Sequence, residues 1–292
     1  MRALFLFVGL ILLALLISAS INYPLYLLLE EHLSSGPHKL INTTGKLLAI
    51  PGFIFLLHYL QINNKKALGY AIPRKEFLVD LGKGLAMGLS ILLILAIVLV
   101  FLDIRILKPS EDILDVMAKT LIVAVIGGLL IGFIEETFFR GGLFSAIRKN
   151  NSFATTALLS SLFYAWMHFI SPPSLPEGEV ASWSNSFWIL ANTFNEYFDI
   201  QTLDGFIALF LLGIYLAIVR ERTGNIAYVI GVHAGVVMVI KSLKKFTEVN
   251  DASQLNFLIS NYDQTIGYLS ATGLAIHIVF VYFFWRRPEQ KN

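Results

Sequence analysis

The sequence contains no cysteine and few charged residues. Of its 292 residues only 14% are Asp, Glu, Lys or Arg, and the formal net charge is +2. The missing cysteine excludes disulfides, thiol nucleophiles and thiolate metal sites, which leaves His, Asp and Glu as candidate metal ligands. Since a long basic tract is also missing, no nucleic-acid partner is expected.

Apolar residues dominate the amino-acid composition. They make up 56% of the chain and give a mean hydropathy of +0.70, which is typical of proteins whose solvent is lipid. Backbone groups inside a bilayer must be satisfied within helices. The sequence therefore predicts an all-α fold, a polytopic transmembrane bundle of about eight helices. The predicted spans are 3–29, 45–61, 78–102, 117–139, 153–170, 205–219, 226–240 and 265–285.

Basic residues mark one side of the predicted bundle. The basic segments that share this side are 65–75, 148–149, 220–222 and 286–291. Because cytoplasmic loops carry the excess of Lys and Arg, both termini are predicted to be cytoplasmic. Lys241, Lys244 and Lys245 are an exception, since they follow a span on the opposite side. Short loops and the lack of a retrieval signal favour a bacterial inner membrane.

The segment 171–204 differs in kind from the spans. It begins with Pro172, Pro173 and Pro176, and aromatic residues then appear among polar ones. This composition predicts an interfacial or re-entrant segment, and a substrate gate is the alternative interpretation. No shift in composition marks a soluble domain. We therefore expect 1–292 to form a single membrane domain with lipid as one partner.

Two adjacent glutamates, Glu135 and Glu136, lie inside the fourth apolar run. Arg140 follows Glu136 by four residues, so these two can pair on one helix face. Glu135 lies about 100° away around the helix and is left without that partner. One interpretation is a neutralising pair beside an acid that reaches cytoplasmic water. The other is a carboxylate that acts as a general base.

Two histidines lie in later apolar runs, His168 in the fifth and His233 in the seventh. Counting from a turn near 150–151 at about 1.5 Å per residue puts Glu135 and His168 at similar depths. A single such histidine is usually a hydrogen-bonded packing residue. Two acids with two histidines suit hydrolysis, either by a metal-bound water or by a carboxylate-activated water.

These residues together form a recognisable pattern. The chain resembles the CAAX-protease and bacteriocin-processing (CPBP) family of intramembrane proteases over about 117–240. The matching residues are Glu135-Glu136 with Arg140, then His168 with an aromatic residue four positions earlier, then His233. The resemblance implies an intramembrane metallo- or glutamic endopeptidase with a protein or peptide substrate. In its eukaryotic branch the family removes the last three residues of prenylated CAAX proteins.

The resemblance also implies a role for each residue. Glu135 would activate the attacking water, Glu136 would support it, and Arg140 would hold the helix end. His168 and His233 would position the water or the oxyanion. In the metal-dependent version of the site, His168, His233 and Glu135 would bind one divalent ion such as zinc.

Two positions depart from the family's pattern. Tyr164 stands where the second motif usually has Phe, and it is expected to support the site. Val237 stands where the last motif commonly has Asn or Asp, and valine neither binds a metal nor donates to an oxyanion. Asn192, Asn195 and Asn225 are candidates for a replacement carboxamide.

Several other functions compete with the protease. Val237 supports a non-catalytic membrane scaffold or immunity-type protein with a degraded site. A proton-coupled transporter should show two related halves with broken helices, and the sequence has no such symmetry. The sequence also lacks His-Glu-x-x-His and Gly-x-Gly-Asp, the motifs of two other membrane protease types. The small residues of 88–90 are interpreted as helix packing rather than as a serine protease site.

Overall fold

The computed structural model describes residues 1–32, 36–109 and 113–284, and most of them are helical. This confirms the predicted all-α polytopic fold. The helices are α1 (Arg2–Leu29), α2 (Pro37–Tyr59), α3 (Lys65–Leu68), α4 (Arg74–Phe101), α5 (Ile113–Glu136), a π-helix (Thr137–Leu143), α6 (Phe144–Arg148), α7 (Phe153–His168), α8 (Trp183–Asn192), α9 (Leu203–Thr223), α10 (Ala227–Phe246) and α11 (Tyr268–Phe284). Two short antiparallel strands are β1 (Arg105–Leu107) and β2 (Thr247–Val249).

All eight predicted apolar runs coincide with helices. Within the described residues, 6 helices are long and apolar enough to cross a bilayer of about 30 Å. They are α1, α2, α4, α9, α10 and the continuous helical stretch from α5 through α6. The fifth and eighth runs form the shorter helices α7, of 16 residues, and α11, of 17 residues.

Contacts divide the chain into two compact units. The first unit comprises 1–63 and 166–200, and the second comprises 64–165 and 201–292. The boundary falls within the last turn of α7. The prediction of a single membrane domain stays a prediction.

The first unit packs α1 and α2 with the short helix α8. Ala19, Ile41 and Ile189 are fully buried and form one apolar cluster. The Asn22 amide donates a hydrogen bond of 3.1 Å to the Ser186 hydroxyl and so ties α1 to α8. At 10 residues, α8 is too short to span a bilayer. The predicted interfacial segment thus contains a short helix, and its depth in the membrane stays a prediction.

Glycines bring α4 and α10 of the second unit into backbone contact. A Cβ atom added at Gly88 would lie 2.1 Å from the Val232 carbonyl oxygen, and one at Gly231 would lie 2.2 Å from that of Leu81. Such close approach is how small residues join membrane helices. The interpretation of Gly88 as a packing residue is confirmed.

The same helix, α10, also packs closely on α5. A Cβ atom at Gly128 would lie 2.8 Å from the Ala234 carbonyl oxygen, and one at Gly132 would lie 3.0 Å from that of Ile230. Contacts on two sides fix the rotation of α10 about its own axis. Since His233 lies on α10, its side-chain direction is fixed with the helix.

Candidate active site

The two glutamates are the last residues of α5, and the π-helix begins directly after them. Such a widened turn is rare and often marks a functional site. Glu136 is fully buried, whereas the Glu135 side chain is 34% exposed. Glu135 is therefore partly open to the outside of the packed helices, although its Oε2 atom is inaccessible to solvent.

The buried Glu136 is held by His233. The His233 Nδ1 and Glu136 Oε1 atoms are 2.6 Å apart. Because a carboxylate oxygen accepts, Nδ1 is the donating nitrogen and carries a proton. The other ring nitrogen, Nε2, faces the second acid, with Glu135 Oε2 at 3.8 Å. One histidine thus lies between both glutamates.

The guanidinium of Arg140 completes this buried cluster. Its Nη1 atom donates to Glu136 Oε1 at 3.3 Å, and Nη2 donates to the Gly213 carbonyl oxygen at 3.3 Å. The predicted Glu136–Arg140 pair is confirmed. A neutralising pair alone does not account for the site, because Glu136 Oε1 also accepts the hydrogen bond from His233.

The second oxygen of Glu136 is unusual for a buried polar atom. Oε2 is inaccessible to solvent and has no hydrogen-bond partner among the residues that the structure describes. Nearly all buried polar atoms in proteins are paired, so an exception needs an explanation. A water or a substrate group that binds to this oxygen would explain it, and both are expected in a hydrolytic site.

Tyr164 packs against the cluster from α7. Its ring lies 4.3 Å from the Arg140 guanidinium carbon, and its centroid is 6.3 Å from that of the His233 ring in an edge-to-face arrangement. Tyr164 is fully buried. The ring therefore restricts the Arg140 and His233 side chains, and its role in supporting the site stays a prediction.

Three of the predicted residues, His168, Asn192 and Asn195, belong to the first unit. His168 is the last residue of α7, while Asn192 ends α8 and Asn195 begins the turn that follows it. Their roles in the site stay predictions.

A metal at the site also stays a prediction. In the described part of the chain, no three His, Asp or Glu side chains are arranged to hold an ion.

Val237 follows His233 by one turn of α10, as the sequence indicated. Asn225 was a candidate for the missing carboxamide, and this prediction is wrong. Its amide donates to the Asp80 carboxylate at 2.8 Å, and its oxygen accepts from the Ala227 amide at 3.1 Å. Asn225 therefore caps the start of α10, about 12 Å along the axis from His233.

Sequence reasoning missed the part that Arg220 plays. Its position among basic loop residues suggested only a topological role. In the structure Arg220 lies in α9, is buried, and donates to the carbonyl oxygens of Arg140 (3.3 Å) and Ala67 (3.2 Å). It thus connects α9 to the backbone of the π-helix and to Ala67. The sequence around Arg220 gave no signal of these contacts, because they join three segments that are far apart along the chain.

The comparisons with known proteins agree with this geometry. Residues 117–239 match the family model described as type II CAAX prenyl endopeptidase Rce1-like. The matched region includes Glu135, Glu136, Arg140, Tyr164 and His233. No curated protein and no solved structure matches the chain.

Proposed function

We propose, from the confirmed resemblance of 117–239 to the CPBP family of membrane proteases, that the chain is an intramembrane endopeptidase. It cleaves peptide bonds in or next to the membrane with a water that a glutamate activates. Glu135 is the general base, and His233 is the group that holds the water beside it. Glu136, Arg140 and Tyr164 keep these two in position.

The observation that carries this proposal is the gap between Glu135 and His233. Their facing atoms, Oε2 and Nε2, are 3.8 Å apart, too far for a direct hydrogen bond. A water bound between them contacts both. His233 Nε2 faces Glu135, and it orients this water. The Glu135 side chain is 34% exposed, while its Oε2 atom is itself inaccessible to solvent, so the proposed substrate approaches from the exposed part of the side chain.

The chemical steps then follow from these two atoms. The water oxygen attacks the carbonyl carbon of the substrate, and its proton passes to the Glu135 carboxylate. When the C–N bond breaks, the Glu135 carboxyl group gives that proton to the leaving nitrogen. One water is consumed, and a carboxylic acid and an amine are formed, which exchange the remaining proton to give a carboxylate and an ammonium group.

A divalent metal remains a separate proposal. A zinc ion held by His168, His233 and Glu135 would supply a Lewis acid and a more acidic water. The steps above do not depend on it. A chelator distinguishes the two versions of the enzyme.

The substrate proposed here is a protein or peptide with an apolar stretch that reaches the membrane. The matching family is described as acting on prenylated CAAX ends. We assign the chain to a bacterial inner membrane, where such an end is not expected. The basis is the short loops and the one-sided basic residues of the sequence.

A non-catalytic scaffold is the second candidate function, and Val237 is the observation that favours it. A scaffold would retain the fold without cleaving anything. The buried acid and the fixed histidine tautomer speak for catalysis, because charges inside a membrane protein are costly unless they are used.

The experiment compares the wild-type chain with Glu135→Gln and Glu76→Gln in detergent. Glu76 is an exposed glutamate in the first turn of α4 and serves as the matched control. Each protein is incubated with a library of fluorogenic apolar peptides, with and without a chelator. We expect Glu135→Gln to lose about 10²-fold or more of the rate, as for removal of a general base, and Glu76→Gln to lose none.

Equal cleavage by wild type and Glu135→Gln would reject this mechanism. A wild-type chain that cleaves no peptide in the library would favour the scaffold. A rate that the chelator abolishes and zinc restores would establish the metal-dependent version.

A further inference from the structure

Lys241 carries a positive charge into the bilayer on the same helix as His233. It lies within the α10 span, five residues before the end at Phe246. Its side chain is half-buried, and its Nζ atom would lie 2.5 Å from a Cβ atom added at Gly127 of α5. The ammonium group thus rests on the bare backbone of the helix that carries the two glutamates.

The ammonium points toward the catalytic cluster and away from the near end of α10. Helices α5 and α10 run antiparallel, since Gly132 meets Ile230 while Gly128 meets Met238. Gly127 is therefore level with the turn of α10 around Met238, roughly 4–5 Å closer to His233 than the Lys241 backbone. Side chains on a helix lean toward its N-terminus, which favours this direction.

This placement is costly, and among the residues that the structure describes no neighbouring charge offsets it. A lysine in a span normally reaches for the nearest interface, here about 7.5 Å along the helix. Lys244, one turn further on, does pair with Asp263 at 3.4 Å. Across the described ranges, Lys241 has neither an ion pair nor a hydrogen bond. An ionisable group held like this inside a membrane marks a functional site.

We infer that Lys241 binds a carboxylate of the substrate and so determines which peptides the site accepts. This inference deepens the proposed function and rests on it. The ammonium lies beside Gly127, about 12 Å along α5 from Glu135 and about 8 Å along α10 from the level of His233, and an extended peptide advances about 3.3 Å per residue. The bound carboxylate is therefore about two to four residues from the bond that is cut. It is either a free C-terminus or an acidic side chain at that position.

Binding is measured without cleavage, on the Glu135→Gln protein in detergent. Three fluorescent apolar peptides differ only in charge: one has a free C-terminus, one is amidated, and one is amidated with Glu near its end. We expect at least one carboxylate peptide to bind about tenfold more tightly than the neutral peptide. Lys241→Met should abolish this preference, and Lys241→Arg should retain it. Lys245→Met, at an exposed lysine near the end of α10, should also retain it.

Tighter binding of the peptide with the free C-terminus would identify the C-terminal carboxylate as the ligand. Tighter binding of the amidated peptide with Glu would identify the acidic side chain. Equal binding of all three peptides, or no binding of any, would overturn the inference. So would a preference that survives in Lys241→Met. Lys241→Arg is the control for misfolding, because it changes the side chain but keeps the positive charge at this position. Cleavage by the wild-type chain tests the proposed function separately, so the two failures are distinguishable.

Discussion

Glu136 and His233 are separated by 97 residues, and their Oε1 and Nδ1 atoms are 2.6 Å apart. This contact joins the end of α5 to the middle of α10 and selects the histidine tautomer. The same oxygen accepts from Arg140. The acid that neutralises the arginine is therefore also the group that orients the histidine.

The buried pair should be far more important for stability than a surface pair. Arg140→Met leaves the Glu136 carboxylate buried without its cation, which typically costs about 3–5 kcal/mol. The double variant Glu136→Gln/Arg140→Met removes both charges and should recover most of this loss. Unfolding in mixed detergent measures the free energy of each variant.

The pair of Arg148 and Glu221, 3.0 Å apart with side chains 41% and 17% exposed, supplies the more accessible control. Arg148→Met should cost about 0–1 kcal/mol, as for other solvent-accessible pairs. If the losses of Glu136→Gln and Arg140→Met were simply additive in the double variant, the two side chains would not be coupled as described.

Close packing of α4 on α10 should be needed for activity. Gly88→Ala puts a methyl group 2.1 Å from the Val232 carbonyl oxygen, so the helices must separate and His233 must shift. We expect a loss of about 1–3 kcal/mol in stability and a lower kcat. Gly82→Ala, on the same helix with open space around its Cβ position, should leave both unchanged or slightly improved. Similar kcat values for the two variants would contradict this account.

The ring of Tyr164 should matter to the site through its packing. Tyr164→Phe keeps the ring 4.3 Å from the Arg140 guanidinium, whereas Tyr164→Leu removes it. Loss of a desolvated cation–π contact costs about 2 kcal/mol. We expect the Leu variant to lose stability and activity together, and the Phe variant to keep its stability. Peptidase rate and unfolding midpoint are measured side by side. A Phe variant as unstable as the Leu variant would mean that the hydroxyl is the stabilising part.

Tyr70 should contribute to stability only up to alkaline pH. Burial raises the pKa of Tyr70 above its ordinary value of 10.0, while the 2.6 Å hydrogen bond to Thr137 opposes this. A pKa that is higher in the folded than in the unfolded state stabilises the fold fully below pH 10.0 and progressively less above it. Tyr70→Phe should therefore lower stability by about 1 kcal/mol at neutral pH. The difference should shrink as pH rises past 10.0. If the difference in unfolding free energy between the wild type and Tyr70→Phe stayed constant through pH 10.0, the pKa of Tyr70 would not be raised by burial.

The local sequence pattern was sufficient to predict much of the fold. Apolar run length predicted where helices form, because a helix is the only way to satisfy a single backbone segment in lipid. The i,i+4 spacing of Glu136 and Arg140 predicted their contact, because that distance is set within one helix. Glu135 and His233 were chosen for the same kind of reason: ionisable groups in apolar runs are costly.

Contacts between helices needed the tertiary structure. Nothing in the spacing of residues says that Glu136 accepts from His233, that Arg220 donates to the Arg140 carbonyl of the π-helix, or that the Asn225 side chain binds Asp80 and the Ala227 amide. These depend on how far α10 slides and rotates against α4 and α5. Glycine contacts set that register, and they bring together segments that lie about a hundred residues apart. The sequence by itself determined which residues are chemically able to act, and the packing of α10 decided which of them meet.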